Sequence, residues 1–431
     1  MTDRIHETIN TGPMSRFQVV AVLICITLNM LDGFDVLVMA FTASDVQKEW
    51  GLTGAQLGIL LSSGLFGMAA GSMFLAPFAD RFGRRALILT CLVLITAGML
   101  MSAVATGPRI LGVLRVLTGI GIGGMLASLN VITGEYSSDR WRSAAISMQA
   151  TGYPIGATIG GIIAAWLIVR FGWRSIFLFG GLMSAVMIPV VLSRLPESLD
   201  FLLARRPQGA LDRLNHLLAK MQREPVAELP RLDDVPKAHA RLIDLFRGGF
   251  AGSTLLIWLS FFMVMLGFYF VLSWTPRLLV AAGMSTQQGI TGGVLLNIGG
   301  IIGGSAFAWL SIKGSLKGLA SLSMLLTVIA LVAYGYWSGT LGLAFGLALL
   351  SGMCIFASMV SLYAITPVLY PASVRTTGMG WAIGIGRLGA ILAPLLAGVL
   401  VDGGWQAAHL YYLYAVPLAV SMLAVRWLRV K

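Results

Sequence analysis

Residues Gln18–Phe41 read QVVAVLICITLNMLDGFDVLVMAF, an apolar run that carries two acidic residues, Asp32 and Asp35, in its second half. A helix needs about 20 predominantly apolar residues to cross the hydrocarbon core of a bilayer, and this run is long enough. It is too long for the core of a signal peptide and no cleavage pattern of small residues follows it, so it is expected to stay in the mature protein. Carboxylates inside such a run are costly, by about 2.5–3.5 kcal/mol each on insertion scales, and mark a functional position by default.

The same pattern recurs along the chain. Of the 431 residues, 57% are apolar and 11% are charged, and mean hydropathy is +0.85. A soluble protein would carry about 25% charged residues, so two ordinary soluble domains are excluded. Further spans are expected near 55–78, 86–106, 110–134, 144–168, 175–194, 252–276, 288–311, 318–338, 341–366, 378–401 and 409–428, twelve in all with 18–41. The fold expected is an all-α membrane protein of two six-helix bundles, 1–194 and 251–431, joined by a polar connector, 195–250, with short helical pieces. Cys25, Cys91 and Cys354 each sit in an apolar run, with no CxxC pair and no metal spacing, so neither a disulfide framework nor a metal site is expected.

Charge sets an orientation. With the N-terminus inside, 23 of the 30 Lys and Arg fall on cytoplasmic segments, from Arg4 and Arg16, through Arg81, Arg84, Arg85, Arg140, Arg142 and ten between Arg194 and Arg247, to Lys313, Lys317, Arg375, Arg426, Arg429 and Lys431. Five fall outside (Lys48, Arg109, Arg170, Arg174, Arg277). This bias places both termini in the cytoplasm and accounts for the net charge of +12 without nucleic acid.

A shift of 233 residues lays Gly71-Ser72-Met73-Phe74 on Gly304-Ser305-Ala306-Phe307, Arg142-Ser143 on Arg375-Thr376 and Ile155-Gly156-Ala157 on Leu388-Gly389-Ala390; one further residue lays Gly33-Phe34 on Gly267-Phe268. A parallel repeat of six spans suits two bundles rocking about a midplane site. The halves differ where charge is concerned: Asp35 falls on Tyr269, Asp80 on Lys313 and Arg387 on Pro154. Proton handling and anion anchoring are thereby expected in different halves.

Four ionisable residues stand well inside spans: Asp32, Asp35, Arg115 and Arg387. Asp32 and Asp35 share a helical face, and Asp35 and Arg115 lie at similar depth and can pair. The pair is either a permanent structural one or a proton site in which protonation of the carboxylate releases the arginine. Arg387, near the midplane of a half whose spans contain no acid, either anchors an anionic substrate through a bidentate fork or is satisfied by backbone carbonyls or by Asp32 or Asp35 across the cavity. Phe34, Gln149, Tyr153, Tyr269, Asn297, Tyr363 and Trp381, with Asn29, Asn130 and Phe268, are candidates to complete a cavity for a flat aromatic anion. Four GxxxG pairs, Gly67/Gly71, Gly156/Gly160, Gly299/Gly303 and Gly380/Gly384, are expected to let helices approach closely.

The loop Ala76-Pro77-Phe78-Ala79-Asp80-Arg81-Phe82-Gly83-Arg84-Arg85 resembles the GxLaDRxGRR signature of the major facilitator superfamily, with Ala76 in place of the leading glycine. Arg115-Val-Leu-Thr-Gly-Ile-Gly-Ile-Gly resembles its fourth-span motif, and Pro196-Glu197-Ser198 its PES motif. Asp32-Gly33-Phe34-Asp35 is similar to the DGxD pattern of the aromatic acid:H+ symporters, as are Ser273-Trp274-Thr275-Pro276 and the run from Tyr370-Pro371 through Arg375, Trp381 and Arg387 to Pro394. The resemblance covers nearly the whole chain. It implies a bacterial inner-membrane importer that moves a small aromatic carboxylate (benzoate, hydroxybenzoate, protocatechuate or phenylpropionate class) together with protons, by alternating access. Asp32, Asp35 and Arg115 would handle the proton and Arg387 the carboxylate, and Asp80, Arg81 and Arg84, with Glu135 and Arg142, would latch a cytoplasmic gate. No cofactor or metal is implied; the partners are the aromatic acid, protons and lipid, and a functional monomer is expected. A proton antiporter exporting an organic molecule, or a transporter-like sensor, would use the same charges. An enzyme is not expected: no nucleophile–base set lies in the spans, and His6, His216, His239 and His409 lie outside them or at their edges.

Overall fold

The structure, a computed structural model, describes residues 13–226, 228–229, 242–247, 250–312, 314–337 and 341–428. The expectations for Arg4, Lys313, Arg429, Lys431 and the connector charges Arg231, Lys237 and Arg241 lie outside the described residues. Twelve helices are long and apolar enough to cross a membrane. They are spans one Arg16–Trp50, two Gly54–Phe82, three Arg84–Ala103, four Pro108–Glu135, five Asp139–Phe171, six Arg174–Arg194, seven Ala251–Ala281, eight Thr286–Leu310, nine Leu316–Trp337, ten Leu341–Leu369, eleven Ala372–Asp402 and twelve Ala407–Trp427.

Several helices run past the apolar stretches that announce them, because local capping, not hydropathy, stops a helix. Span one starts at a reciprocal Ser15/Gln18 capping box and stops at Gly51, whose φ of 60° an L side chain resists. Spans two and eight start the same way, with Thr53/Gln56 and Ser285/Gln288. Span two does not stay regular: a π-helical turn at Gly71–Leu75 and a 3-10 turn at Ala76–Phe78 precede its last turn, Ala79–Phe82. The connector forms two short helices, Leu199–Arg205 and Ala210–Lys220, and a 3-10 segment, Leu242–Phe246. The second is amphipathic and buries Leu214, Leu217 and Leu218.

The two halves pack by one scheme. Span one lies on five as seven lies on eleven; two on four as eight on ten; three on four and six as nine on ten and twelve. Glycines set the register of this repeat. Gly156 meets the Met30 carbonyl and Gly389 the Phe262 carbonyl; Gly67 and Gly71 meet the Val116 and Ile120 carbonyls, Gly299 and Gly303 those of Leu349 and Met353. Spans four, five, ten and eleven thus keep the 233-residue shift, whereas one, two, seven and eight follow a shift of 232. Gly303, not Gly304, is therefore the counterpart of Gly71, and the counterpart of Asp35 is Gly267 and not Tyr269.

The halves meet along two main seams, span two on eleven and span five on eight, with span one also touching seven and eight. The seams are tight at the end that carries the Trp50–Gly54 turn, the far end. There Gly54 and Gly58 lie on the Gly398 and Pro394 carbonyls, and Gly161 on Val294. Ser62 Oγ donates to Ile391 O at 2.7 Å, Thr286 Oγ1 to Asp45 at 3.4 Å, and Arg277 Nε to Gln47. At the opposite end, which carries the connector, no hydrogen bond joins the halves among the described residues. Gly380 and Gly384 face open space there, so this GxxxG pair, unlike the other three, has no helix against it.

Candidate functional site

Asp32 and Asp35 are both buried, at 2% and 1% exposure, as is Arg115 at 2%. Span one places the two aspartates three residues apart among spans three, four, five and six. Arg115 and Asp35 meet, but not as an ion pair. Arg115 Nη2 donates to the main-chain oxygen of Asp35 at 2.6 Å, Nη1 lies 3.2 Å from Met99 Sδ, and the guanidinium sits over the Phe177 ring. The Asp35 carboxylate turns toward Gly180, whose missing Cβ leaves it room, and no protein donor reaches either aspartate's oxygens. The expected Asp35–Arg115 pair is thus made through the backbone, because the carboxylate has an opening at span six and the carbonyl faces span four. This tie between spans one and four is independent of the charge on Asp35.

Arg387, on span eleven, crosses toward the first half, with Nη1 at 3.9 Å from Met68 Sδ of span two. Its Nε is buried without a partner. No carboxylate lies within ion-pair distance of it among the described residues. The Tyr153 and Tyr363 hydroxyls lie within electrostatic range of it, and Tyr153 lies within the same range of Asp32 and Tyr269. One cluster therefore joins Asp32 and Tyr153 of the first half to Tyr269, Tyr363 and Arg387 of the second. The Tyr153 hydroxyl is buried and unpartnered. Aromatic edges line the second-half side: Phe268 against Tyr269 at 5.4 Å and against Phe356 at 4.8 Å, and Phe261 against Tyr363 at 5.5 Å.

The remaining cavity candidates divide. Gln149 lies one turn from Tyr153 on the same face of span five; its main-chain oxygen accepts from Asn29 Nδ2 and its own Nε2 is unpartnered. Asn297 turns its amide back on its own helix, Nδ2 to Gly293 O at 2.9 Å, and leaves Oδ1 buried without a donor. Phe34 is packed inside the first half, against Gly160 and Gly180 and edge-on to Phe179 at 5.8 Å; one residue from Asp35, it points to a different face of span one. Trp381 stacks on Trp258 at 6.0 Å, which meets Phe246 of the connector at 5.6 Å. It stands at the connector end of spans seven and eleven, apart from the tyrosine cluster.

The loop after span two is tied within its own half. Asp80 and Arg84 pair at 3.2 Å, and Arg205 Nε donates to Asp80 O at 2.9 Å. Glu197 accepts from the first two amides of span three, Arg84 N at 2.8 Å and Arg85 N at 3.1 Å. Gly83, with φ of 100°, leaves space that a Cβ would take from that carboxylate. Glu135 accepts from Ser198 Oγ and Leu199 N, both at 2.7 Å, and so caps the first connector helix. Arg142 pairs with Asp139 at 2.8 Å and donates to Gly134 O, and Arg81 lies over the Phe82 ring. None of these contacts reaches the second half.

One residue was missed by counting only basic loop residues and charges within spans. Asp402 ends span eleven and is the sole acidic residue after position 250. Its carboxylate accepts from Gly54 N at 2.5 Å and Ala55 N at 2.8 Å, the first two amides of span two in the other half. The available signal was that a lone acid at a helix end is positioned to meet a neighbouring N-terminus.

The Major Facilitator Superfamily model matches residues 22–319. The gallate transporter of Pseudomonas putida is 33% identical over 426 residues, covering 98% of this chain and 94% of that protein. The 4-hydroxybenzoate transporter PcaK of Pseudomonas aeruginosa is 34% identical over the same length, with the same coverage of both. The 3-(3-hydroxy-phenyl)propionate transporter of Escherichia coli is 28% identical over 405 residues, 93% of this chain and 92% of that one. In fold, a D-xylose-proton symporter superposes with a TM-score of 0.75 over 95% of this chain and 97% of its own, at 16% identity. With a family model over more than half its length and relatives above 30% identity over nearly all of it, this multi-pass membrane protein belongs to the major facilitator superfamily, in the family of aromatic acid transporters.

Proposed function

We propose that this protein imports a small aromatic carboxylate with protons by alternating access. The observation that carries the reading is Arg387, a guanidinium with no carboxylate in ion-pair range, set beside tyrosine hydroxyls from both halves. A carboxylate fits its planar fork. The Tyr269, Phe268 and Tyr363 edges suit an aromatic ring, and the Tyr153 hydroxyl suits a ring substituent or the carboxylate itself. The relatives named as gallate, 4-hydroxybenzoate and hydroxyphenylpropionate transporters support that class.

The proton travels by Asp32 and Asp35. Tyr153 lies within electrostatic range of both Asp32 and Arg387, which supports a link between the proton site and the substrate site. Arg115, bonded to the Asp35 main chain, holds span one in place while the carboxylate changes state. The bundles 1–194 and 251–431 move as two bodies joined by the connector 195–250. The positive-inside bias makes the connector end cytoplasmic, so the closed far end and the open Gly380/Gly384 face describe an inward-facing conformation of a monomer in the bacterial inner membrane. Asp80, Arg81, Arg84, Glu135 and Arg142 brace the first-half side of the cytoplasmic gate and meet the second half when that gate shuts.

Purified protein in proteoliposomes, supplied with labelled benzoate, 4-hydroxybenzoate, protocatechuate, gallate and 3-phenylpropionate, tests the reading. Accumulation of at least one acid under an inward proton gradient, abolished by a protonophore, is expected. Accumulation that ignores the protonophore, or accumulation only when the gradient is reversed, overturns it.

A further inference from the structure

We propose that Asp402 is the latch that holds the far end shut, and thereby a residue that positions the two halves during transport. The proposal rests on the alternating-access reading above. A helix leaves its first four amides without partners in its own ladder. At span two the capping box satisfies part of this need: Gln56 N donates to Thr53 Oγ1 at 3.3 Å and Thr53 N to Gln56 Oε1 at 3.0 Å. The two amides left over are Gly54 N and Ala55 N, and these are the two that Asp402 takes, from the opposite half of the chain. Spans one and eight start with the same box, but among the described residues no acid takes their remaining amides.

The placement fits a latch better than a fixed staple. A carboxylate on two helix N-terminal amides is a charge-assisted contact aligned with the helix dipole, so it favours closure. Asp402 is solvent-exposed and Ala55 half-buried, while Gly54 is buried at the first turn of its helix. When the seam parts, water can replace each bond, which keeps the opening reversible. Deeper in the same seam the contacts are of another kind: glycine on carbonyl at Gly58 and Pro394, and the Ser62 hydroxyl on Ile391 O. The second seam joins at Gly161 and Val294. Two further contacts between the halves at this end involve a charged residue, Arg277 on Gln47 and Thr286 on Asp45, but each is made side chain to side chain. Among the described residues Asp402 is the one whose charge closes on helix amides of the other half, at the rim of the seam between spans two and eleven.

Two reporter cysteines in otherwise native protein read the conformation without any transport. Val294→Cys sits in the closed far seam; Gly384→Cys sits on the open connector face. Cys25, Cys91 and Cys354 are buried, and the parent without a reporter sets the background. In detergent, Asp402→Ala is expected to raise maleimide labelling of Cys at 294 by about tenfold and to lower labelling at 384, since one charge-assisted contact biases a two-state equilibrium by roughly that factor. Asp402→Glu, which keeps the carboxylate, is expected to restore labelling toward the parent. Unchanged labelling at both positions in a folded Asp402→Ala protein overturns the latch, and so does a rise at both, which would mean general loosening. Should the alanine protein fail to fold, Asp402→Asn carries the same comparison. Because labelling needs no substrate, failure of the latch and failure of the aromatic acid reading are separate results.

Discussion

At the scale of single residues, function follows from which buried charges lack a partner. Arg115 is satisfied by a carbonyl, whereas Arg387 has only a sulfur at long range and a buried, unpartnered Nε. The lysine variant of Arg387 keeps charge but loses the fork. A charged hydrogen bond contributes about 1.5–3 kcal/mol, so Arg387→Lys should weaken aromatic acid binding about ten- to a hundredfold, measured by equilibrium binding to purified protein. The amide of the substrate should bind wild type poorly. Acid binding unchanged in a folded Arg387→Ala protein would remove the anchor. Asp35→Asn has a different expectation. Because Arg115 holds the main chain of Asp35 and not its carboxylate, the variant should fold, exchange substrate across the membrane and lose uphill accumulation. Full proton-driven accumulation by that variant would shift the coupling role to Asp32. All four intramembrane charges are visible in the sequence, since charge in an apolar run stands out. The side chain's direction is not: Phe34 and Asp35 are neighbours, and whether the ring or the carboxylate meets a gap depends on Gly160 and Gly180, far away in sequence.

At the scale of helices, glycine positions act as the register marks of the repeat. Gly156 and Gly389 are equivalent contacts, one in each half, each against a carbonyl of a neighbouring helix. Leucine at either should force the pair apart and lower the melting temperature by similar amounts, whereas Gly384→Leu, on an open face, should leave it near wild type. Thermal denaturation of the three variants in one detergent tests this; a loss at 384 equal to those at 156 and 389 would deny that its face is open. The loop after span two also belongs here. Glu197→Gln removes the charge that caps span three, and a cap contributes about 0.5–2 kcal/mol, so a modest fall in melting temperature is expected. Span number and order were readable because hydropathy reports burial in lipid. Helix ends were not, since Ser15 and Thr53 start helices through side-chain caps and Gly51 stops one through its backbone geometry, all of which hydropathy ignores. Slipping one residue beyond the 233 shift to match Gly33-Phe34 with Gly267-Phe268 placed Asp35 on Tyr269, two positions from its packing counterpart, because spans one and seven follow a shift of 232.

At the scale of the whole molecule, the charge bias, the repeat and the closed far end describe one machine with a central site. If one proton enters with one monoanion, the step is electroneutral, and the potential, about 2.3 kcal/mol per charge per 100 mV, neither helps nor opposes it. An imposed pH gradient should therefore drive uptake into vesicles while an imposed potential alone should not. Uptake driven by potential alone would mean a second proton, and would bring Asp32 and Asp35 into use together. Asp80→Asn should slow transport while leaving substrate affinity within about threefold of wild type, because its contacts lie at the connector end of the first half and not at the Arg387 cluster. The two-bundle plan was legible from the sequence through its repeat. The seam was not, because Asp402 and Gly54 are 348 positions apart and neither stands out alone.

The wide turn at Gly71–Leu75 bears on which changes of length the chain tolerates. Ala76 N reaches back five residues to Gly71 O, so this turn holds one residue more than an α-helical turn would. Loss of one residue here would let the ladder close with ordinary spacing, and Gly67 and Gly71 would keep their seats on span four. The same deletion nearer the Thr53 end would rotate those glycines off their carbonyls by about 100°. A one-residue deletion scan through span two should thus show its mildest effect on folded yield between Ser72 and Leu75. Related chains that differ in length within this helix are expected to place the gap there.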